Sequence, residues 1–149
     1  MHPFVYVLVL SLIVMNLAGS ALSSSINKAR LAQQSAVASS LAIFSAYADR
    51  FARANPNADT VISYAAASLP GWFQPHSGVV AYSYQGHAYV TYQAASAKDA
   101  YDIAAACPEG NRCLVSNSGS LYEPGSFAPT GSLPAGRGLP QTNGVVIQP

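Results

Sequence analysis

Residues 3–22 form one apolar run, and no Lys, Arg, Asp or Glu occurs among the first 27 residues. Roughly 20 such residues in a helix, at about 1.5 Å each, cover the hydrocarbon core of a bilayer, about 30 Å thick. The run therefore predicts a transmembrane anchor and places the rest of the chain beside a membrane. A secretory signal peptide is the rival reading, and Ala18-Gly19-Ser20 offers small residues for cleavage. Such a peptide needs a basic leader and a shorter apolar stretch, and no Lys or Arg precedes this one. In Leu17-Ala18-Gly19-Ser20, Ser stands where a lipidated Cys would have to be, which excludes thioether lipidation.

Lys28 and Arg30 follow the run, and by the positive-inside rule alone they would hold the carboxyl-terminal part in the cytoplasm. The cysteines argue the other way. Cys107 and Cys113 are the only two, and they flank the turn-forming Pro108-Glu109-Gly110-Asn111-Arg112. That arrangement suits a structural disulfide in an oxidising compartment. The five-residue spacing is too wide for a Cys-x2-Cys redox or zinc pair, and no further cysteine completes a metal site. Only 9% of residues are charged, which also fits an exported domain. A periplasmic domain of a Gram-negative inner-membrane protein is the expectation.

Subtracting the anchor leaves roughly 125 residues, enough for one core. A net charge of +1 with scattered signs gives no footprint for nucleic acid and no polybasic membrane patch. The organisation expected is an anchor at 3–22, a long amphipathic helix at 23–54, a small α+β domain at 55–122 and a Pro/Gly-rich tail at 123–149.

From Ser23 to Ala54 there is neither Gly nor Pro. Val37, Leu41, Phe44, Ala48 and Phe51 recur at spacings of three and four, which sets them on one helical face. Asn55-Pro56 should end the helix. A second short helix is predicted from Asp59, as N-cap, to Ser68. The Tyr- and Val-rich runs on either side of Gln85-Gly86-His87 predict a hairpin. Ser96 and Asp99 form a capping-box variant that opens a helix through Ala106. Cys113-Leu-Val-Ser116 is a third strand. The tail, with Pro124, Pro129, Pro134, Pro140 and Pro149, is expected to be irregular, with Gly144-Val-Val-Ile147 adding an edge strand at most. The fold class is α+β: a long helix packed on a small antiparallel sheet.

Several features together resemble a known family. They are the apolar amino-terminal segment, the Leu69-Pro-Gly-Trp-Phe73 element, the Tyr/Val hairpin, and Leu133-Pro-Ala-Gly136 followed by Asn143-Gly-Val-Val146. The chain resembles the PilM proteins of thin type IV pilus systems on conjugative plasmids and related islands, which are distinct from the actin-like cytoplasmic PilM. The resemblance implies an inner-membrane accessory of pilus biogenesis whose partners are other pilus assembly proteins, with no cofactor and no small-molecule substrate.

A pilin-like filament subunit shares this general plan. A pilin precursor, however, carries a basic leader ending in Gly and a Glu shortly after it. Here Gly19 follows the apolar run, and no Glu precedes Glu109. A hydrolase fits worse. His76 and His87 have no evident partners for a metal site or nucleophile pair, and Ser118-Gly119-Ser120 reads as a turn rather than a nucleophile elbow. Asp99 and Asp102 are expected in the first turn of their helix, where its dipole favours negative charge.

Aromatic residues are the candidates for packing or partner contact. Phe44 and Phe51 are expected to meet one side of the sheet. Tyr82, Tyr84, Tyr89 and Tyr92 must occupy both sides, because strand residues alternate. Together with Trp72 and Phe73 they serve either as half-buried sheet residues or as an aromatic contact surface.

Overall fold

The computed structural model describes the backbone of residues 3–148 and the side chains of residues 23–148. The anchor expected at 3–22 lies outside the residues whose side chains are described. Among the described residues, no helix is long and apolar enough to cross a membrane. The chain divides into two units, Met1–Gln33 and Gln34–Pro149. In the first, every described side chain is exposed, Ile26 and Leu31 included.

Helix α1 (Pro3–Ala54) ends where Asn55-Pro56 was expected to stop it. The Asn55 backbone N–H donates to the Phe51 and Ala52 carbonyls, and its side-chain amide donates to the Phe51 carbonyl at 2.9 Å. Those bonds satisfy acceptors that the last helical turn leaves open. Arg53 pairs with Asp49 at 2.7 Å. Burial begins at Gln34, and Val37, Ala38, Leu41, Phe44, Ala48 and Ala52 form the buried stripe, with Phe51 half-buried beside it. Alternating bulk with alanine lets the helix approach a sheet closely while Leu41 and Phe44 fill the space between.

That sheet is larger than the sequence suggested. Seven antiparallel strands run in the order β1-β2-β3-β7-β4-β5-β6. They are β1 (Thr60–Ile62), β2 (Val79–Tyr84), β3 (His87–Gln93), β4 (Cys113–Asn117), β5 (Ser120–Tyr122), β6 (Pro129–Ser132) and β7 (Gly144–Ile147). Among the described residues the one further helix is α2 (Ala97–Ala105), capped by Ser96, whose hydroxyl accepts from the Asp99 N–H at 3.1 Å. Asp102 sits beyond the first turn, contrary to expectation, and is occupied by Lys98 at 2.7 Å and Gln34 at 3.3 Å.

The expected hairpin is β2–β3. Gln85 and Gly86 both have positive φ, 51° and 77°, as a two-residue type I′ turn requires. Ser118 and Gly119 repeat the device between β4 and β5.

Two larger expectations also fail, each for a physical reason. The helix from Asp59 to Ser68 does not form. The β-branched Val61 and Ile62 pair with Tyr82 and Ala81 as strand β1. Only a short turn follows, with Ser63 accepting from the Ala66 N–H and the Ala67 N–H bonding the Ser63 carbonyl. Asp59 caps nothing, because its carboxylate is held elsewhere by Tyr82 and Arg137.

The carboxyl-terminal stretch is likewise not an irregular tail. Its Gly144–Ile147 strand is not an edge but the centre of the sheet, pairing β3 through Val90↔Ile147 and β4 through Cys113↔Ile147. All four of its residues are buried. Close packing explains the glycine at its start. A Cβ on Gly144 would lie 2.6 Å from both Pro140 Cγ and Ser116 Oγ. The buried Ser116 hydroxyl donates to the Pro140 carbonyl at 2.6 Å and accepts from the Gly144 N–H at 2.9 Å. Those two bonds lock the entry to the strand.

The sheet thus has two covered faces. Val79, Ala81, Ala88, Val90, Val115, Val145 and Ile147 face the α1 stripe, together with Ile103 and Ala104 of α2. On the opposite face, Tyr89, Leu114, Leu121 and Val146 are covered by Leu133 and Leu139 from the segment leading into β7.

Cys107 and Cys113 are joined in a disulfide that closes the α2–β4 connection. Replacing both with Ser is expected to lower the domain's stability by about 2 kcal/mol, the chain-entropy value for so short a loop. Urea unfolding of the oxidised parent and the double Ser variant measures the difference.

Candidate interaction surface

The sequence-selected aromatic residues separate into three settings. Phe44 is fully buried, its ring 5.3 Å from that of Tyr64. Phe51 and Tyr92 are half-buried against the same core, and Tyr92 meets the His76 ring edge to face at 5.8 Å. These residues pack the helix side. His87 stands exposed at the start of β3.

Tyr82, Tyr84 and Tyr89 belong to the opposite face. Tyr89 is buried, and loss of water around it pushes its phenol pKa up. Tyr82 and Tyr84 meet Arg137, which arrives from the segment covering that face. The Arg137 guanidinium pairs with Asp59 through Nη2 at 2.7 Å and Nε at 3.3 Å, and lies 4.5 Å over the Tyr84 ring. Tyr82 donates its hydroxyl at 2.6 Å to Asp59 Oδ1, the oxygen that also accepts from Arg137 Nε. The Arg137 hydrogen bonds, followed by that of Tyr82, hold the Asp59 carboxyl below its ordinary value, and the same contacts raise the pKa of Arg137 and Tyr82. The clamp ties the β1 edge to the carboxyl-terminal segment, residues 59 and 137 being far apart in sequence. From the sequence Asp59 was read only as a helix N-cap and Arg137 was not singled out, since a lone charge between Gly136 and Gly138 gives no signal of its partner.

The sign of the pH effect follows from Asp59. A depressed carboxyl pKa contributes stability that is present above its unfolded value and is lost as pH falls through the folded one. Hydrogen exchange of the amides at residues 133–143 should therefore accelerate below about pH 4, relative to the intrinsic rate, in the native protein. In Asp59→Asn that acid-specific acceleration is expected to vanish, with faster exchange already at neutral pH.

Trp72 and Phe73 have the third setting. The β1–β2 connection folds Leu69-Pro-Gly-Trp-Phe73 into a turn, with the Phe73 N–H donating to the Pro70 carbonyl at 2.9 Å. Phe73 and Leu69 lean on the core. Trp72 instead stands outward, 75% exposed, its ring 5.9 Å from that of Phe73 in an edge contact. Its chain neighbours Gly71 and Phe73, with Tyr64, Leu69, Pro70 and Pro75, line an open groove of about 480 Å³ to whose wall the Trp72 ring itself does not contribute. Tyr64 is anchored by its hydroxyl, which donates to the Val79 carbonyl at 3.1 Å. Between Asp59 and Lys98 the chain contains no Asp, Glu, Lys or Arg. An exposed aromatic rim around a neutral groove, on a pre-built turn, is the chemistry of a protein contact site: large rigid side chains bury much area at little entropic cost, and no charge must be desolvated.

A family model described as PilM matches residues 9–147. The chain belongs to the PilM family. That is the plasmid type IV pilus family, and the match takes in the groove, the covering segment and the central strand. No curated protein and no solved structure matches the chain. Membership in the PilM family links the chain to type IV pilus biogenesis and implies pilus assembly partners in general. The disulfide suggests that the domain lies outside the cytoplasm.

Proposed function

We propose that the chain is an inner-membrane accessory of the type IV pilus assembly apparatus that acts by protein contacts rather than catalysis. The apolar run at 3–22 anchors it, the helix beyond spaces it from the membrane, and the periplasmic domain presents the Trp72 surface to other pilus proteins. The observation that carries this reading is the exposed Trp72 indole, on a turn whose Leu69 and Phe73 lean on the core and line an uncharged groove. Large exposed apolar patches on soluble domains mark interaction sites.

Trp72→Ala removes the exposed indole without touching the core. Cells carrying it are expected to keep full-length protein in the inner membrane while losing pili. Normal piliation with this variant would overturn the contact role. The long helix continuing into a sheet with a disulfide loop also suits a filament subunit, and shearing separates the two readings. Full-length protein confined to the inner membrane fits an anchored accessory. Enrichment in sheared filaments, with a shortened amino terminus, would make the chain a pilin-like subunit instead.

A further inference from the structure

Of the asparagines in the chain, only Asn143 is followed by glycine. That pair is self-reactive, because closure of the Gly144 nitrogen onto Asn143 Cγ makes an unstrained succinimide ring and glycine brings no Cβ to hinder the approach. The structure places it at the entry to the central strand, β7, and pins the peptide that joins the two residues at both ends. The carbonyl of that peptide, on Asn143, accepts from the Ala94 N–H at 3.0 Å, and its N–H, on Gly144, donates to Ser116 Oγ at 2.9 Å. Ala94 follows β3 and Ser116 lies in β4, so one peptide plane is tied to both neighbours of β7. The Asn143 N–H is held as well, by the Ser116 carbonyl at 2.9 Å, with φ at 55°.

Ring closure needs the Gly144 nitrogen to give up its proton and turn toward Asn143 Cγ. In the seated strand that proton is committed to Ser116, whose hydroxyl in turn donates to the Pro140 carbonyl at 2.6 Å, and Gly144 is buried. The peptide between residues 143 and 144 cannot rotate without breaking its bonds to Ala94 and Ser116 together. A buried amide held in this way reacts only through opening of the fold, at a rate set by the open population. An unseated β7 carries none of these restraints.

We propose that Asn143-Gly144 is a self-modification site gated by β7, converting chains whose β7 stays unseated into a form that cannot complete the sheet. The Gly144 nitrogen bonds to Asn143 Cγ, the Cγ–Nδ2 bond breaks, and Nδ2 leaves as ammonia with the proton from the Gly144 amide. Water then opens the succinimide at either carbonyl. Opening at Cγ gives aspartate, whereas opening at the main-chain carbonyl gives isoaspartate, in which the backbone runs through Cβ and Cγ. The isoaspartyl chain is one methylene longer just before β7. That length displaces Gly144 from its register partners Gln93 and Ser116, at a point where even a Cβ would collide with Pro140 and Ser116. A strand out of register no longer delivers its side chains to the two cores. Folding and modification therefore compete, and the seating of β7 ends the competition.

Peptide mass spectrometry of the full chain in detergent, aged in mildly alkaline buffer with and without denaturing urea, tests the gating. Electron-transfer fragmentation tells isoaspartate from aspartate at residue 143. Conversion is expected to be at least about tenfold slower in the native protein, because it follows the open population. Ser116→Ala frees the Gly144 amide and should speed conversion in the native state while leaving the rate in urea unchanged. Should that variant not fold, Asn143→Gly carries the test, since glycine keeps the positive φ and has no side-chain amide to lose. Parent chains aged in urea should lose refolding, scored by the cooperative melt after dilution, in proportion to their isoaspartate content. Aged Asn143→Gly chains should refold like fresh ones. Equal conversion with and without urea overturns the gating, as does a folded Ser116→Ala protein with an unchanged native rate. Isoaspartyl chains that regain the parent's melting transition, or aged Asn143→Gly chains that lose refolding as the parent does, overturn the block on completing the sheet.

Discussion

Deleting residues 144–149 is expected to abolish the folded domain, although it removes only six residues of a stretch whose sequence reads as an irregular tail. The loss follows from the position of β7. On one side it pairs Val90 through Gln93 of β3, and on the other Cys113 through Ser116 of β4. Without it, the β1-β2-β3 and β4-β5-β6 groups have no ladder between them. Val145 and Ile147 also leave the helix-side core while Val146 leaves the other, so both faces are opened together. Backbone groups of β3 and β4 then stand unpaired in a partly buried gap, each costing about 1–3 kcal/mol. Domains of this size have only about 5–15 kcal/mol in total. Loss of the cooperative thermal transition, rapid proteolysis and failure to accumulate are the expected outcomes. A truncated protein melting cooperatively within a few degrees of the parent would refute the central role of the strand. Gly144→Val offers a milder version, because the added side chain collides with Pro140 and Ser116 while the strand itself remains.

Phe44→Ala should cost about 3–5 kcal/mol, the range for truncating a buried aromatic residue. Phe44 is fully buried, the largest such side chain described, and its ring packs against Tyr64. The cavity cannot readily collapse, because α1 is held to the sheet by Leu41 and Ala48 on either side of the gap. Its effect should extend to the surface. Tyr64 lines the groove beside Trp72, and loosening its support should weaken any partner contact there. Chemical denaturation in detergent measures the stability loss. By contrast, Phe127→Ala, at a fully exposed position, should leave stability within about 0.5 kcal/mol of the parent. Equal losses for the two variants would contradict the burial described for Phe44.

Local elements with a short-range cause were legible in advance. The α1 stripe, its stop at Asn55-Pro56, the Gln85-Gly86 hairpin, the Ser96 cap and strand β4 each follow from residues within a few positions of one another. The disulfide also joins the pair expected from its spacing. Asp59 shows where local reading fails. Its capping propensity is real, but the carboxylate is drawn to Arg137, and Val61 and Ile62 gain a β2 partner that no helix offers. The proline and glycine content of the last stretch likewise gave a false reading of irregularity, because Leu133, Leu139 and the β7 residues find their neighbours only after strands distant in sequence have assembled. For the candidate surface, Trp72 and Phe73 stood out by residue type. Tyr64 did not, since exposure is a property of the packed molecule.

What the sequence determined by itself is the membrane-length apolar run, the helix that continues from it, the hairpin, the cysteine pair and the motifs carrying the PilM resemblance. Periodicity, turn chemistry and hydrophobicity act over a few residues, and one chain displays them without a partner. The tertiary structure alone decided that the carboxyl-terminal strand lies at the centre of the sheet, that Arg137 clamps Asp59 across the second face, and that Trp72 and Phe127 stand exposed among the described residues. Those outcomes depend on which distant segments meet. Strand order and burial are set by the joint minimisation of exposed apolar area and unpaired backbone, a property of the whole chain.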